Sequence, residues 1–343
     1  MVDPQTKPTV TLKDVADAAG VSVATASRVL AGRGDLALAT RERVAEAAAA
    51  LGYERAPGTR GRPSTLDPRL IEFVLGGFDD AWTDAMTTGA REAAFRLGFD
   101  LVLTLERPDP QDDWPTRVAT RRPSGVVIGI IKPTARQLDE IRGLRIPIVL
   151  LDPISDPDGV LPSVGTTDWQ GGYDAGTHLA SCGVDRFAVV SGVPPFRFGR
   201  AREEGFRRAI EENRPGAQVV RIDSRWTDAP LTAELMNLVA SDKSPVGVFA
   251  CNDEMALAVY RAASRAGKRI PADVNVVGFN DEPRAAKAHP PLTSVRQPLR
   301  EMATRAIELI TELRQHDRPS YERIELPSTL IVRGSTKPQS HRE

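Results

Sequence analysis

Ten residues of this 343-residue chain have the types and positions to hold a small polyhydroxylated molecule. They are Asp80, Trp82, Asp168, Trp169, Arg202, Trp226, Asn252, Asp253, Asn280 and Gln297. Sugar hydroxyls need planar partners that donate and accept, which Asp, Asn, Arg and Gln supply, while the apolar C–H faces of a pyranose lie against indoles. Several of the ten stand just past an apolar run: Trp82 after LIEFVLG, Trp226 after QVVRID, Asn252 and Asp253 after VGVFAC, Asn280 after VNVVGF. The same indoles could stack on a purine, so the residues alone leave both a sugar and a nucleobase open. A second set, Ser22, Val23, Ala24, Thr25, Ser27 and Arg28, suits DNA. Small and hydroxyl side chains let a backbone come close, and one arginine can grip guanine bidentately or hold a phosphate.

The second set needs a helix. Thr11-Leu12-Lys13-Asp14 has the form of a capping box and opens a first helix to about Ala19, with Val15 and Ala18/Ala19 on one side. Gly20 supplies a tight turn, and Ser22 caps a second helix through Leu30, entered at Val21, with Val29 and Leu30 facing inward. A third helix from about Thr40 to Leu51 carries Val44, Ala47, Ala48 and Leu51 at helical spacing. Two short helices joined by a glycine turn make a helix-turn-helix, whose second helix enters the major groove.

The first set needs strand ends. Apolar runs at 70–76, 100–105, 125–130 and 147–152 alternate with amphipathic stretches near 82–97, 111–121 and 134–143. A second series follows, with runs at 187–192, 218–223, 246–251 and 274–279 and helices near 170–182, 200–213, 229–241 and 253–266. Runs dense in Val and Ile without alternation mark parallel strands buried on both faces. Two such series predict two doubly wound lobes, with ligand bound outside the strand carboxyl ends. A helix at about 299–315 and strands near 321–326 and 329–333 suit a chain that crosses back to the first lobe and then touches the second.

The bulk numbers agree with a soluble globular chain of 41% hydrophobic and 27% charged residues, with no membrane-spanning run. Net charge is −1, although residues 1–63 hold nine Lys/Arg against seven Asp/Glu. DNA binding must therefore rest on a few placed contacts rather than on a basic excess. The N-terminus lacks the layout of a secretory signal, and Cys182 and Cys251 offer no metal or disulfide spacing, so a cytoplasmic protein is expected. No GxSxG, HExxH, P-loop or GxGxxG is present, and four scattered histidines have no ligand spacing. Neither an enzyme nor a metal or cofactor is expected. A glycosidase would need two carboxylates facing each other across its substrate, whereas the acidic pairs at 79–80 and 203–204 are adjacent in sequence and point apart on a helix.

The segment TLKDVADAAGVSVATASRVLAG with TRERVAEAAAALGY resembles the headpiece of the lactose/galactose-repressor (LacI/GalR) transcription factors. The resemblance continues through PPLTSVRQPLREMATRAIELI and LIVRGST, nearly to the end of the chain. It implies an all-α headpiece on an α/β, periplasmic-binding-protein-like body of two doubly wound parallel-sheet lobes. The expected boundaries are 1–54 for the headpiece, 55–67 for a hinge, 68–165 with 296–324 for one lobe, 166–295 with 325–336 for the other, and a tail at 337–343. By resemblance Val23, Ala24 and Arg28 read bases while Thr11, Ser22, Thr25 and Ser27 hold phosphates. Arg202, Asp168, Asn252, Asp253 and Asn280 match effector contacts, with Trp226 and Gln297 matching more loosely, and Asp80-Ala81-Trp82 replaces a common NPF-like motif. The implied protein is a homodimeric repressor on a pseudo-palindromic double-stranded DNA operator, released by a mono- or disaccharide effector, with a purine or other metabolite as the alternative. A transport receptor of the same body is a more distant alternative, at odds with the attached headpiece.

Some positions depart from the family pattern. Ala31 replaces its usual Asn, and Ala37 replaces the Ser that opens the third helix, leaving Asp35 or Thr40 to substitute as cap. The family's hinge helix is interrupted by Pro57-Gly58 and Gly61, and Arg62 stands where a Leu wedge is usual. Arg60-Gly61-Arg62-Pro63 instead has the core of an AT-hook, whose arginines lie along a narrow A·T-rich minor groove.

Overall fold

Each of the short Val- and Ile-rich runs becomes a strand with helices on either side. The computed structural model describes residues 10–30, 37–53, 68–107, 109, 113–155, 161–241, 245–315 and 323–337. Arg60, Arg62 and the rest of the segment expected to form a hinge lie outside these. The chain divides into two units, Met1–Asp67 and Pro68–Glu343.

The first unit contains α1 (Leu12–Ala18), α2 (Val23–Leu30) and α3 (Leu38–Ala50). Thr11 closes a capping box: Asp14 N donates to Thr11 Oγ1 at 3.3 Å and Thr11 N donates to Asp14 Oδ2 at 2.7 Å. Gly20 turns the chain at a φ of 62°, a region that favours glycine. Ser22 Oγ then accepts from Thr25 N at 3.1 Å, the geometry of an N-cap. Val15, Ala16, Ala19, Ala26, Val44 and Ala48 form the small core. Ala16 takes the inward place expected of Ala18, since the buried stripe leans toward the Ala16–Ala19 side of Val15. Leu51, expected inside, is 38% exposed because it follows the last helical turn. α3 begins before Thr40, and Ala37 at its N-cap makes no side-chain bond.

In the second unit the elements run β1 (Leu70–Leu75), α4 (Ala81–Arg96), β2 (Asp100–Leu105), α5 (Trp114–Arg121), β3 (Gly125–Gly129), α6 (Ala135–Arg142), β4 (Ile148–Leu151) and β5 (Ser163–Thr166). They continue with α7 (Asp168–Ala180), β6 (Arg186–Gly192), α8 (Arg197–Asn213), β7 (Val219–Ser224), α9 (Ala233–Ala240), β8 (Val246–Ala250), α10 (Asp253–Arg265) and β9 (Val274–Asn280). Last come α11 (Pro283–Lys287), β10 (Thr293–Arg296), α12 (Leu299–Gln315), β11 (Arg323–Leu326) and β12 (Thr329–Ile331).

Two six-stranded sheets result, ordered β11-β5-β4-β3-β1-β2 and β12-β10-β9-β8-β6-β7. Every pairing is parallel except β10 with β12. Ile71, Phe73 and Leu75 of β1 pack with Met86, Ala90 and Ala93 of α4 and with Met302, Ala306 and Ile310 of α12. In the second lobe Phe187, Val189, Phe206, Phe249 and Phe279 join one large core. β5, β10 and α11 were not foreseen from sequence. The expected return to the second lobe after residue 324 falls inside β11, and the chain crosses instead near Ser328, where Ser328 N donates to Thr167 Oγ1 at 2.9 Å. Beside the crossovers, Arg197 N donates to Ile154 O at 3.1 Å and ties the lobes together.

Candidate functional site

The residues expected to meet DNA lie mostly on and just before α2. Ser22, Val23, Ala24 and Arg28 on and before α2 are exposed, Val23 by 44%, while Thr25 and Ser27 are half-buried. An apolar side chain left this open at the start of a helix is available to a partner such as a thymine methyl. Ser22 Oγ and Thr25 Oγ1 lie 2.8 Å apart, so the two hydroxyls form one polar patch. Thr11 Oγ1 donates to Asp14 Oδ2 at 2.7 Å, and this bond holds the Asp14 carboxyl below its usual range. Thr11 therefore caps α1 with its hydroxyl proton engaged.

In the body, the carboxyl ends of the strands surround a cavity of about 750 Å³. Asp80, Trp82, Arg202, Trp226, Asn252, Asn280 and Gln297 all line it. Three other candidates do not. Asp168 and Trp169 belong to an adjoining cavity of about 330 Å³, and Trp169 stacks on Tyr173 at 5.3 Å. Asp253 is wholly buried: it accepts from Glu282 N at 2.7 Å and from Ser294 Oγ at 2.6 Å, and so holds the loop after β9. Burial raises its carboxyl to about 8 despite these hydrogen bonds.

Each remaining wall has a local cause. Asp80 caps α4 by accepting from Thr83 N at 2.7 Å, which sets Trp82 in the first turn at the rim. Asn252 caps α10, accepting from Met255 N at 2.8 Å while its Nδ2 donates to Trp226 O at 2.8 Å. Trp226 stacks on Phe196 at 5.5 Å, meets Phe198 edge-on at 4.9 Å, and donates from Nε1 to Pro194 O at 2.9 Å. Gly192 gives the indole its seat, since a Cβ there would lie 2.2 Å from the ring.

Arg202 is 2% exposed. It donates from Nε to Asp168 Oδ1 and from Nη1 to Cys251 O, both at 2.8 Å, and its guanidinium lies over Phe279 at 3.7 Å. α7 and α8 approach closely enough for this because Gly172 and Gly205 lack a Cβ; one added there would meet the opposite helix's carbonyl at 2.0 Å. Burial holds Asp168 above the usual carboxylate range even beside Arg202. Asp152, at the end of β4, is raised to about 7 by burial and then by the charge of Asp168, with Arg202 opposing.

The corner opposite is strained. Asn280 and Asp281 adopt φ of 108° and 56°, which non-glycine residues seldom adopt. Arg296 and Arg333 clamp Asp281 at 2.7 and 2.6 Å, and Gln297 Nε2 donates to Asn280 Oδ1 at 2.7 Å. This fixes the Asn280 amide at the cavity wall.

Phe196, Phe198, Asp152, Asp228, Glu254, Glu282 and Arg284 also line the cavity and were not foreseen. Asp152 closes the run PIVLLD, so the rule that ligands meet strand ends would have found it. Among the described residues no His/Cys/Asp/Glu group could hold a metal ion, and no helix is long and apolar enough to cross a membrane.

Comparison with known proteins places this architecture. Residues 11–56 match the model for bacterial regulatory proteins of the lacI family, and residues 177–336 match a periplasmic binding protein-like domain. The transcriptional regulator DegA of Bacillus subtilis is 31% identical over 339 residues, covering 96% of this chain and 98% of its own. The HTH-type transcriptional repressor PurR of Haemophilus influenzae is 28% identical over 340 residues, covering 95% and 98%. The solved complex of the transcriptional regulator CelR with cellobiose superposes with a TM-score of 0.69 at 27% identity, covering 95% of this chain and 99% of its own. With a lacI-type headpiece ahead of a two-lobed binding body, and with that identity to DegA over almost its full length, the chain belongs to the LacI family of DNA-binding transcriptional regulators.

Proposed function

We propose that the protein is a repressor, released from a pseudo-palindromic operator when a mono- or disaccharide enters the cleft between its lobes. The carrying observation is the aromatic corner of Trp226, Phe196 and Phe198, which shares one cavity with Arg202, Asn280 and Gln297. That is an apolar plate beside polar groups, the chemistry a pyranose requires. The cellobiose in the CelR complex supports a sugar here as well. The DNA face is Val23, Ala24 and Arg28, with Ser22, Thr25 and Ser27 beside the phosphates.

Ligand in the cleft touches both lobes and so favours one lobe arrangement; in a dimer this alters headpiece spacing, with a coupling of about 1–3 kcal/mol. Association through the body is supported by apolar side chains left open on one lobe: Phe95 of α4, 86% exposed, and Leu103 and Leu105 of the edge strand β2. The protein works in the cytoplasm, where its DNA is, and performs no catalysis on its ligand.

Operator binding measured at physiological salt, with panels of sugars and purines, tests this reading. A sugar should lower operator affinity by about 5- to 150-fold. Release by purines alone would favour the nucleobase reading. Indifference to both panels would remove the ligand assignment.

A further inference from the structure

The cleft carries an imbalance of charge that the sugar reading does not use. Six carboxylates and two guanidiniums line it. Both guanidiniums are already compensated. Arg202 pairs with Asp168 at 2.8 Å, and Arg284 pairs with Glu254 at 2.7 Å and Glu282 at 2.8 Å. Asp80 is tied to the start of α4. Three carboxylates remain, those of Asp79, Asp152 and Asp228, and among the described residues no hydrogen bond or ion pair reaches them.

Hydrogen-bonding capacity is tilted the same way. The polar nitrogens of Trp226, Asn252 and Gln297 are engaged with protein oxygens at 2.9, 2.8 and 2.7 Å. Arg202 Nη2 and Trp82 Nε1 are the side-chain nitrogens on the wall that make no hydrogen bond among the described residues. Against them stands an independent sign of a missing donor. Gln297 is 4% exposed, and its Oε1 is buried without a partner while its Nε2 is held by Asn280. A buried acceptor left unmade is costly, so a site that tolerates one is built for a ligand that supplies the proton.

We infer that the cleft selects an amine-bearing sugar, a cation, over neutral sugars and against anionic ones. The inference rests on the sugar reading above and narrows it. The aromatic corner receives the ring's C–H face, ring hydroxyls reach Gln297 Oε1 and Arg202 Nη2, and the ammonium sits in the field of Asp152 and the rim acids Asp79 and Asp228. Asp152 is 4% exposed, so a cation beside it is screened little by solvent. A phosphate or uronate would meet the side chains of Asp79, Asp152 and Asp228 in the same space, with no unpaired guanidinium among the described residues of the wall to receive it. Burial already disfavours the ionised form of Asp152, and an ammonium would restore it.

Matched probes test this on the full-length protein by titration calorimetry: glucose against glucosamine, cellobiose against the unacetylated glucosamine disaccharide, with glucuronate and glucose 6-phosphate as anions. In at least one matched pair the amine should bind about tenfold tighter or more, and neither anion should bind. Asp152→Asn should cut the amine's advantage over its matched neutral sugar to about threefold or less. Asp79→Asn/Asp228→Asn, at exposed positions that do not endanger folding, should reduce it in the same direction. Neutral sugars binding as well as amines would overturn the inference and leave the sugar reading intact. Tight binding of either anion would do the same. If no sugar binds a protein that still holds its operator, both fall together.

Discussion

Asp168 accepts a hydrogen bond from Arg202 at 2.8 Å only because Gly172 and Gly205 let their two helices touch backbone to backbone. The pair joins the packing of the second lobe to the floor of the cleft. Gly172→Ala places a methyl 2.0 Å from Arg202 O, so α7 and α8 must separate. The expected loss is about 3 kcal/mol, read from the urea midpoint at an unchanged slope.

Removing one charge of that pair tests the other. In Asp168→Ala the guanidinium of Arg202, 2% exposed, stays buried without its counterion. A loss of about 3–5 kcal/mol in unfolding free energy is expected. Asp168→Asn, which keeps an acceptor for Arg202 Nε, should lose clearly less.

Asp253 gives the body a pH signature. Its carboxyl lies at about 8 in the folded protein, against 3.8 for the free group. Between these values the folded state keeps a proton that the unfolded chain has released, so this group's contribution to stability falls as pH rises from 4 to 8. The slope from one such proton is about 1.4 kcal/mol per pH unit. Asn cannot ionise and keeps an oxygen to accept from Glu282 N. Asp253→Asn should fold and should flatten the melting temperature across that window; a variant with the parent's pH dependence would refute the assignment.

α3 starts without a side-chain cap at Ala37. Ala37→Ser should therefore stabilise the headpiece by about 1 kcal/mol, seen as a raised melting point of residues 1–67 expressed with the body.

Arg28 stands exposed in the last turn of α2. Arg28→Ala should weaken operator binding by about 1–3 kcal/mol and relax base preference at one position of each half-site. A uniform loss across all operator variants, with a shallower salt dependence, would make it a phosphate contact instead.

Much of the architecture was legible because its signals are local. Dense apolar runs placed the core strands to within a residue or two, and Thr11 and Ser22 announced their helices by capping. β5 and β10 escaped because SVGT and TSVR are four residues long and become strands only beside β4, β11, β9 and β12. Asp253 was placed among the ligand contacts because it follows a strand and adjoins Asn252. Its partners, Glu282 N and Ser294, lie 29 and 41 residues further along the chain, and nothing near it in sequence reveals that it turns inward. Phe196 and Phe198 were hidden for the same reason, since it is Trp226, 30 residues after Phe196 in the chain, that makes them part of a wall.

β11 and β12 belong to different sheets, although they are separated by two residues near the end of the chain. During synthesis the first lobe must therefore wait, its core open where α12 will lie and its sheet lacking an edge, until the second lobe has almost wholly emerged. A ribosome stalled before residue 299 would leave an unfinished sheet in each lobe, so the body becomes a competent sensor in one late step. Neither lobe can be produced alone by cutting the chain once, and an isolated sensing lobe would have to be stitched from two separate stretches of sequence.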